Sequence, residues 1–206
     1  MCGLSTVKTA RAAMRAGADW LGLVLAPSVR RIEPDDARML VGEVEAPWVG
    51  VFVDEEPGVI ARLARELGLS AVQLHGAETP AVCRAVRAEA GVPVWKGVRW
   101  SRDPQSMERW SEAADVVLFD SGAGSGRPLP WSEVRIPPPG ARPARAFLAG
   151  GLAADNVARA VAALRPDGVD ASSRLERAPG DKAVSRIEAY VAAARAAELL
   201  DPAESR

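Results

Sequence analysis

The chain has 206 residues, and its 26 lysine and arginine residues are balanced by 27 aspartate and glutamate residues. A net charge of −1 gives no reason to expect a nucleic acid or an anionic membrane surface as a partner. Two cysteines do not make a disulfide framework, the amino terminus lacks a secretory signal, and no apolar run is long enough to span a membrane. We therefore expect a soluble, cytoplasmic protein.

Short apolar runs rich in valine and leucine alternate with helical patterns along the whole chain. The runs predicted as strands are Met1–Gly3, Trp20–Leu25, Trp48–Val53, Ala71–Leu74, Val92–Val98, Val116–Asp120, Ala146–Ala149 and Gly168–Ala171. The segments predicted as helices are Thr6–Ala16, Pro34–Val44, Pro57–Leu67, Pro80–Ala90, Pro104–Ala113, Asp155–Leu164 and Lys182–Leu200.

This alternation predicts an α/β protein with a parallel sheet and right-handed crossovers. Eight strand–helix units predict that residues 1–206 form a single-domain (β/α)8 TIM barrel. An open doubly wound sheet is the alternative. It is disfavoured by the even count of eight strands and because no strand is followed by a GxGxxG motif.

The first predicted strand is shortened, because only Met1 and Cys2 precede Gly3. A barrel strand needs about five residues, so the predicted barrel has a gap beside neighbours with open edges. We therefore expect Met1 to be an internal methionine and the natural chain to begin several residues upstream.

The catalytic residues of a TIM barrel lie where its strands end, and two such positions carry the candidate catalytic groups. Cys2 ends the first strand, and its thiol would need a nearby cation or helix amino terminus to ionise near neutral pH. Asp120 ends the sixth strand after four apolar residues, where partial burial would raise its pKa and suit a general acid. A small buried cysteine and a loop-capping aspartate are the structural alternatives.

Two loops at the same end of the barrel predict a phosphate site. Gly150 and Gly151 follow the seventh strand, and Ser172 and Ser173 follow the eighth. Backbone N–H groups in these two loops are the usual phosphate ligands of TIM barrels. No metal ligand is assigned.

Four further polar residues at the strand ends are candidates for substrate binding: Arg30, Gln73, His75 and Asp170. Arg30 suits a carboxylate, although a surface role is equally compatible with its loop, and His75 is as compatible with a structural role. The glycine-rich stretch Gly122–Arg127 follows Asp120 and is interpreted as a mobile active-site loop. Cys83 lies in a helical pattern and is expected in the core.

With these residues in place, the sequence resembles the phosphoribosylanthranilate isomerase family over almost its whole length. The matching segments are MCGL at Met1–Leu4, LGLVLAPSVRRI at Leu21–Ile32, VGVFVD at Val49–Asp54, VQLHG at Val72–Gly76, LFD at Leu118–Asp120, GSGRPLPW at Gly124–Trp131, LAGGL at Leu148–Leu152 and GVDASSRLERAPGDK at Gly168–Lys182.

The resemblance implies an Amadori rearrangement of N-(5-phosphoribosyl)anthranilate in tryptophan biosynthesis, without a cofactor and in a monomer or homodimer. It implies that Asp120 protonates the furanose ring oxygen and that Cys2 takes the C2′ proton of the ring-opened Schiff base. Arg30 matches the arginine that faces the anthranilate carboxylate, and the glycines and serines of the two loops match the phosphate ligands.

The sequence departs from the family pattern at several points, and these leave a second function open. The family's lysine two positions before the cysteine is absent, Arg174 replaces a glycine after Ser173, and Pro130 precedes Trp131 where aspartate is usual. A positive φ at position 174 would strain an arginine. The alternative function is a related phosphosugar-binding barrel with weak or no isomerase activity. A ProFAR isomerase is disfavoured because that enzyme uses two carboxylates and has a twofold repeat.

Overall fold

Seven parallel strands, hydrogen-bonded in chain order, form the sheet in the computed structural model, which describes residues 1–100, 104–120, 136–138 and 140–198. The strands are β1 (Leu21–Val24), β2 (Trp48–Phe52), β3 (Ala71–Leu74), β4 (Val94–Arg99), β5 (Val116–Asp120), β6 (Arg145–Leu148) and β7 (Gly168–Val169). They correspond to the second to eighth predicted strands, and every neighbouring pair is parallel. The prediction of a parallel α/β barrel is confirmed.

Helices connect the strands and cover the outside of the sheet. They are α1 (Val7–Ala16), α2 (Pro34–Glu43), α3 (Pro57–Glu66), α4 (Pro80–Ala90), α5 (Val157–Leu164) and α6 (Val184–Glu198). The predicted boundaries of α1 hold because Thr6 caps its amino end, accepting a hydrogen bond from the Thr9 backbone, and Gly17 ends it with φ 97°.

Two helix predictions need correction. The segment predicted as a helix from Pro104 forms a 3₁₀ helix over Pro104–Trp110 rather than an α-helix. The last helix begins at Val184 instead of Lys182 because the preceding residues form a hairpin of strands β8 (Glu176–Ala178) and β9 (Asp181–Lys182). The loop Gly122–Arg127 and Pro130 lie outside the described residues.

The predicted first strand is reduced to one bridged residue, Cys2. Cys2 pairs with Gly22 of β1 in parallel, and its N–H donates to the carbonyl of Ala171 at 3.1 Å. The carbonyl of Met1 accepts from the N–H of Gly22 at 2.7 Å. Cys2 therefore links both edges of the sheet, because it pairs with Gly22 within β1 and bonds to Ala171 just beyond the carboxyl end of β7.

Below Cys2 lies a cleft of about 900 Å³ between the amino ends of β1 and β7, with α6 behind it. Its apolar lining includes Trp20, Trp95, Phe147 and Tyr190. The three rings of Trp20, Trp95 and Phe147 make edge-to-face contacts with centroids 5.1 and 5.2 Å apart. The cleft is open beside Met1 and Cys2, where only one bridged residue joins the two edges of the sheet. That the natural chain begins upstream of Met1 stays a prediction.

The sheet is buried on both faces, as its continuous apolar runs predict. Leu23, Leu74, Val117 and Phe119 are fully buried in the layer between sheet and helices, where Cys83 of α4 also lies. Each such side chain contributes about 1.5–3 kcal/mol on burial. Within the parts of the chain that the structure describes, no helix is long and apolar enough to cross a membrane.

Candidate active site

Cys2 lies among charged groups at the carboxyl end of the sheet. The Met1 ammonium donates to the carbonyl of Trp20 at 2.9 Å and lies 3.2 Å from the carboxylate of Asp170. Asp170, which follows β7, is thereby placed beside the thiol. The structure brings these two predicted site residues together because Cys2 bridges the strands on either side of it.

The thiol of Cys2 is not activated by this environment. Burial, reinforced by the negative charge of Asp170, raises its pKa to about 12, although the amino terminus, Lys182 and Arg30 act in the opposite direction. The cations that the thiol would need in order to ionise are present, but the cost of desolvating a thiolate outweighs their attraction. Without substrate, Cys2 is therefore a protonated thiol near neutral pH.

Asp120, Gln73 and His75 form a second polar group on the opposite strands. His75 Nε2 lies 3.3 Å from Oδ2 of Asp120, and its Nδ1 lies 3.1 Å from Nε2 of Gln73. Gln73 is buried on β3, whereas Asp120 ends β5 and remains partly accessible. The imidazole thus links the two predicted residues across β4.

The loop that carries His75 is held by a buried ion pair. The ammonium of Lys96 lies 2.6 Å from Oε2 of Glu78, and it also donates to the carbonyls of Leu74 and Gly76. Glu78 accepts from the N–H groups of Asp54 and Gly76, each at 2.9 Å. These bonds join the loops after β2 and β3, so the position of His75 is fixed by its neighbours on both sides.

Arg30 makes a bidentate ion pair inside the protein. Its Nε and Nη2 donate to the two carboxylate oxygens of Glu176 at 2.7 and 2.9 Å. The ammonium of Lys182 binds the same carboxylate at 2.5 Å and the hydroxyl of Ser172 at 3.1 Å. Burial opposes the ionisation of Glu176, but the bonds from Arg30 and Lys182 outweigh it and hold its pKa below the ordinary value.

This cluster carries one positive charge in excess, because Arg30 and Lys182 share a single carboxylate. Burial lowers the pKa of Lys182, and Glu176 offsets part of that effect. A guanidinium has five N–H donors, and Glu176 uses one edge of it. The remaining donors of Arg30 are compatible with the predicted role in binding a substrate carboxylate.

The two predicted phosphate loops lie side by side. Gly150 and Gly151 have φ of 89° and 64°, values that favour glycine, and the side chain of Asn156 holds their loop by donating to the Gly151 carbonyl at 2.9 Å. Ser173 begins a 3₁₀ helix over Ser173–Leu175.

Arg174 is not strained, because its φ is not among the positive values of the described residues. Its guanidinium binds Asp155 of the neighbouring loop at 3.0 Å, in an exposed pair. The predicted cost of replacing glycine therefore does not arise. The side chain links the two loops instead.

Sequence reasoning missed Glu176 and Lys182, although a signal was present. Pro179 and Gly180 are typical of the central positions of a tight turn. A turn there pairs Ala178 with Asp181, and a regular antiparallel ladder would then place Arg177 opposite Lys182. A β-bulge between Glu176 and Ala178 brings Glu176 opposite Lys182 instead. The turn was visible in the sequence, whereas the bulge that creates the ion pair was not.

A parallel sheet with helices outside, and with ionisable side chains and two glycine- and serine-containing loops at its carboxyl ends, is the arrangement of a (β/α)-barrel enzyme. Residues 1–193 match the family model for N-(5'phosphoribosyl)anthranilate (PRA) isomerase.

Curated relatives carry the same name. The N-(5'-phosphoribosyl)anthranilate isomerase of Desulforudis audaxviator is 38% identical over 202 residues, covering 96% of this chain and 97% of the relative. That of Erythrobacter litoralis is 41% identical over 207 residues, covering 95% and 97%.

Among solved structures, the phosphoribosyl anthranilate isomerase of Thermotoga maritima is similar with a TM-score of 0.81 and 34% identity, covering 95% of this chain and 97% of that one. A solved complex of such an isomerase with reduced 1-(o-carboxyphenylamino)-1-deoxyribulose 5-phosphate has a TM-score of 0.76 and 32% identity, covering 95% and 96%. The chain belongs to the N-(5'-phosphoribosyl)anthranilate isomerase family.

Proposed function

We propose that this chain isomerises N-(5'-phosphoribosyl)anthranilate in tryptophan biosynthesis, with Asp120 as general acid and Cys2 as general base. The observation that carries the proposal is that both residues stand at the carboxyl end of one parallel sheet in a chain that belongs to this isomerase family. The substrate is a small phosphosugar with an anthranilate carboxylate.

The chemistry begins at Asp120. Its carboxyl group gives a proton to the furanose ring oxygen as the C1′–O bond breaks, and the amine nitrogen supplies the electron pair that forms the iminium. Ring opening comes first because the C2′ proton is acidic only beside the iminium. Asp120 leaves this step as a carboxylate.

Cys2 acts second. Because its pKa is about 12 in the free protein, its thiolate is a strong base but a rare one until a positive charge stands beside it. The iminium supplies that charge, and the thiolate takes the C2′ proton to give an enolamine. The enol O–H then loses its proton and C1′ gains one, which yields the 2-ketose.

The remaining site residues bind the two ends of the substrate. We assign the phosphate to Gly150, Gly151, Ser172 and Ser173, and the carboxylate to Arg30. Asp170, Gln73 and His75 line the region between them. The excess positive charge of the Arg30–Lys182–Glu176 cluster supports an anionic ligand at this position.

We further propose that the chain acts in the cytoplasm as a monomer or homodimer and does not bind nucleic acid. One similar solved structure is of monomers generated from the dimeric isomerase of Thermotoga maritima. Light scattering after size-exclusion chromatography determines the state of this chain. That residues 1–206 form one domain also stays a prediction.

Complementation of a tryptophan auxotroph that lacks this isomerase tests the activity. The chain should restore growth without tryptophan, and the Cys2→Ala/Asp120→Asn double variant should not. A chain that binds the reduced product analogue but fails to restore growth would instead support the phosphosugar-binding barrel.

A further inference from the structure

The geometry points to His75 as a positioning residue for the acid: its Nε2–H stabilises the carboxylate that Asp120 becomes as it delivers its proton, and Gln73 holds His75 in the required tautomer. This inference rests on the proposed function and adds a role for a pair that the family match leaves unassigned. It concerns kcat rather than substrate binding.

The tautomer follows from the partner of Nδ1. The amide nitrogen of Gln73 faces Nδ1 at 3.1 Å, and an amide N–H can only donate. Nδ1 must then accept, so a neutral imidazole carries its proton on Nε2. That proton faces Oδ2 of Asp120 at 3.3 Å.

Space for the imidazole is built into β4. A Cβ atom at Gly97 would lie 2.4 Å from Nδ1 and 2.8 Å from Cε1 of His75. No side chain other than hydrogen at position 97 therefore allows the ring to cross β4 from β3 to β5. The contact between His75 and Asp120 depends on this glycine.

Two cationic residues lie on β4, the strand that the imidazole crosses. Lys96, next to Gly97 on β4, is neutralised by Glu78 on the far side of the loop. Arg99 pairs in register with Asp120 but its side chain is exposed. Among the described residues, the imidazole N–H of His75 is a neutral donor within reach of the Asp120 carboxylate.

The hydrogen bond from His75 to Asp120 stabilises the transition state more than the ground state. A neutral N–H binds a protonated carboxyl weakly and a carboxylate strongly, because the bond gains charge assistance as the proton leaves. An interaction that strengthens during the reaction raises kcat instead of lowering KM. Removing one well-placed donor costs about 100–1000-fold in kcat, and the longer separation of 3.3 Å here lowers the expected effect to about 10–100-fold.

The chain contains a single histidine, so the imidazole nitrogen resonances of ¹⁵N-labelled protein belong to His75 without assignment. At pH 8, where histidine is ordinarily neutral, we expect the Nε2–H tautomer. Gln73→Met keeps the side-chain length but removes the donor, and it should yield a mixture of tautomers. Gln73→Glu should move the proton to Nδ1.

Kinetics complete the test. His75→Ala should lower kcat about 10–100-fold with KM changed less than threefold, and His75→Gln, which restores an N–H donor, should recover part of the loss. Gly97→Ala should reproduce the loss while the imidazole is retained, with folding checked by circular dichroism. An Nδ1–H tautomer in the wild-type protein, or a His75→Ala variant with unchanged kcat, would overturn the inference.

The two claims fail separately. An inactive wild-type chain with the Nε2–H tautomer contradicts the proposed function alone. An active chain with the other tautomer contradicts the role of His75 alone.

Discussion

Replacing Asp170 by asparagine should make the thiol of Cys2 more acidic, and replacing Lys182 by methionine should make it less acidic. Burial and the Asp170 carboxylate raise the Cys2 pKa from 9.0 to about 12, while Lys182 opposes them. A rise of three units reduces the thiolate population at pH 8 by about a thousandfold. Alkylation by iodoacetamide should be slower than that of a free thiol by about the same factor.

The assay measures the rate of Cys2 alkylation between pH 7 and 10 by mass spectrometry of the peptide that contains it. The logarithm of the rate should rise by one for each pH unit with no plateau in this range. Cys83 is the only other cysteine and is fully buried, so any alkylation measured in the Cys2→Ser variant gives the background from Cys83. At fixed pH, Asp170→Asn should accelerate alkylation and Lys182→Met should slow it.

Because the two variants should change the alkylation rate in opposite directions, they distinguish an electrostatic effect on the thiol from a change in its accessibility. A variant that merely loosens the site would accelerate alkylation in both cases. A plateau at or below pH 9 in the wild-type protein would refute the reasoning, because it would mean that burial does not control the thiol.

Three further predictions concern stability. Between pH 9 and about 12, the free energy of unfolding should fall by up to about 4 kcal/mol more in the wild-type protein than in Cys2→Ser. The reason is that the Cys2 thiol keeps its proton in the folded state and loses it in the unfolded chain. Equal pH profiles of the two proteins would contradict this. Glu176→Gln leaves two buried cations without their carboxylate and should cost about 3–5 kcal/mol in urea unfolding. Asp181→Gln, which breaks the exposed pair with Arg177, should leave the unfolding midpoint almost unchanged. Joining a five-residue extended segment with alternating valines to the Met1 amino group should fill the 900 Å³ cleft and raise the melting temperature. The same segment with prolines at alternate positions should not raise it, because proline lacks the N–H donor that a strand needs.

Much of the fold was predictable because local signals and burial agree. The runs Ala71–Leu74 and Val116–Asp120 form strands with the predicted boundaries, since each is apolar apart from one polar residue and is bounded by turn residues. Helix α4 matches equally well because Pro80 begins it, Thr79 caps it and Gly91 ends it. The short first strand was also foreseen from the two residues before Gly3.

The electrostatics of the site could not be predicted, because they depend on contacts between residues far apart in the sequence. Arg30 and Glu176 meet across 146 positions, and the thiol of Cys2 is desolvated by strands at both ends of the chain. Lys182 supplies a cation of the kind that the thiol would need in order to ionise, but the buried carboxylate of Glu176 shares its charge. Burial therefore decides the direction of a pKa shift that the sequence left open.

The most direct test of the account is the decay of anthranilate fluorescence when the purified chain is supplied with N-(5'-phosphoribosyl)anthranilate. The wild-type chain should turn over, Cys2→Ser should be slower, and Asp120→Asn should be slower still, because ring opening has no substitute acid. Full activity in the Cys2→Ala/Asp120→Asn double variant would contradict the assignment of acid and base, and no turnover by the wild-type chain would contradict the proposed function itself.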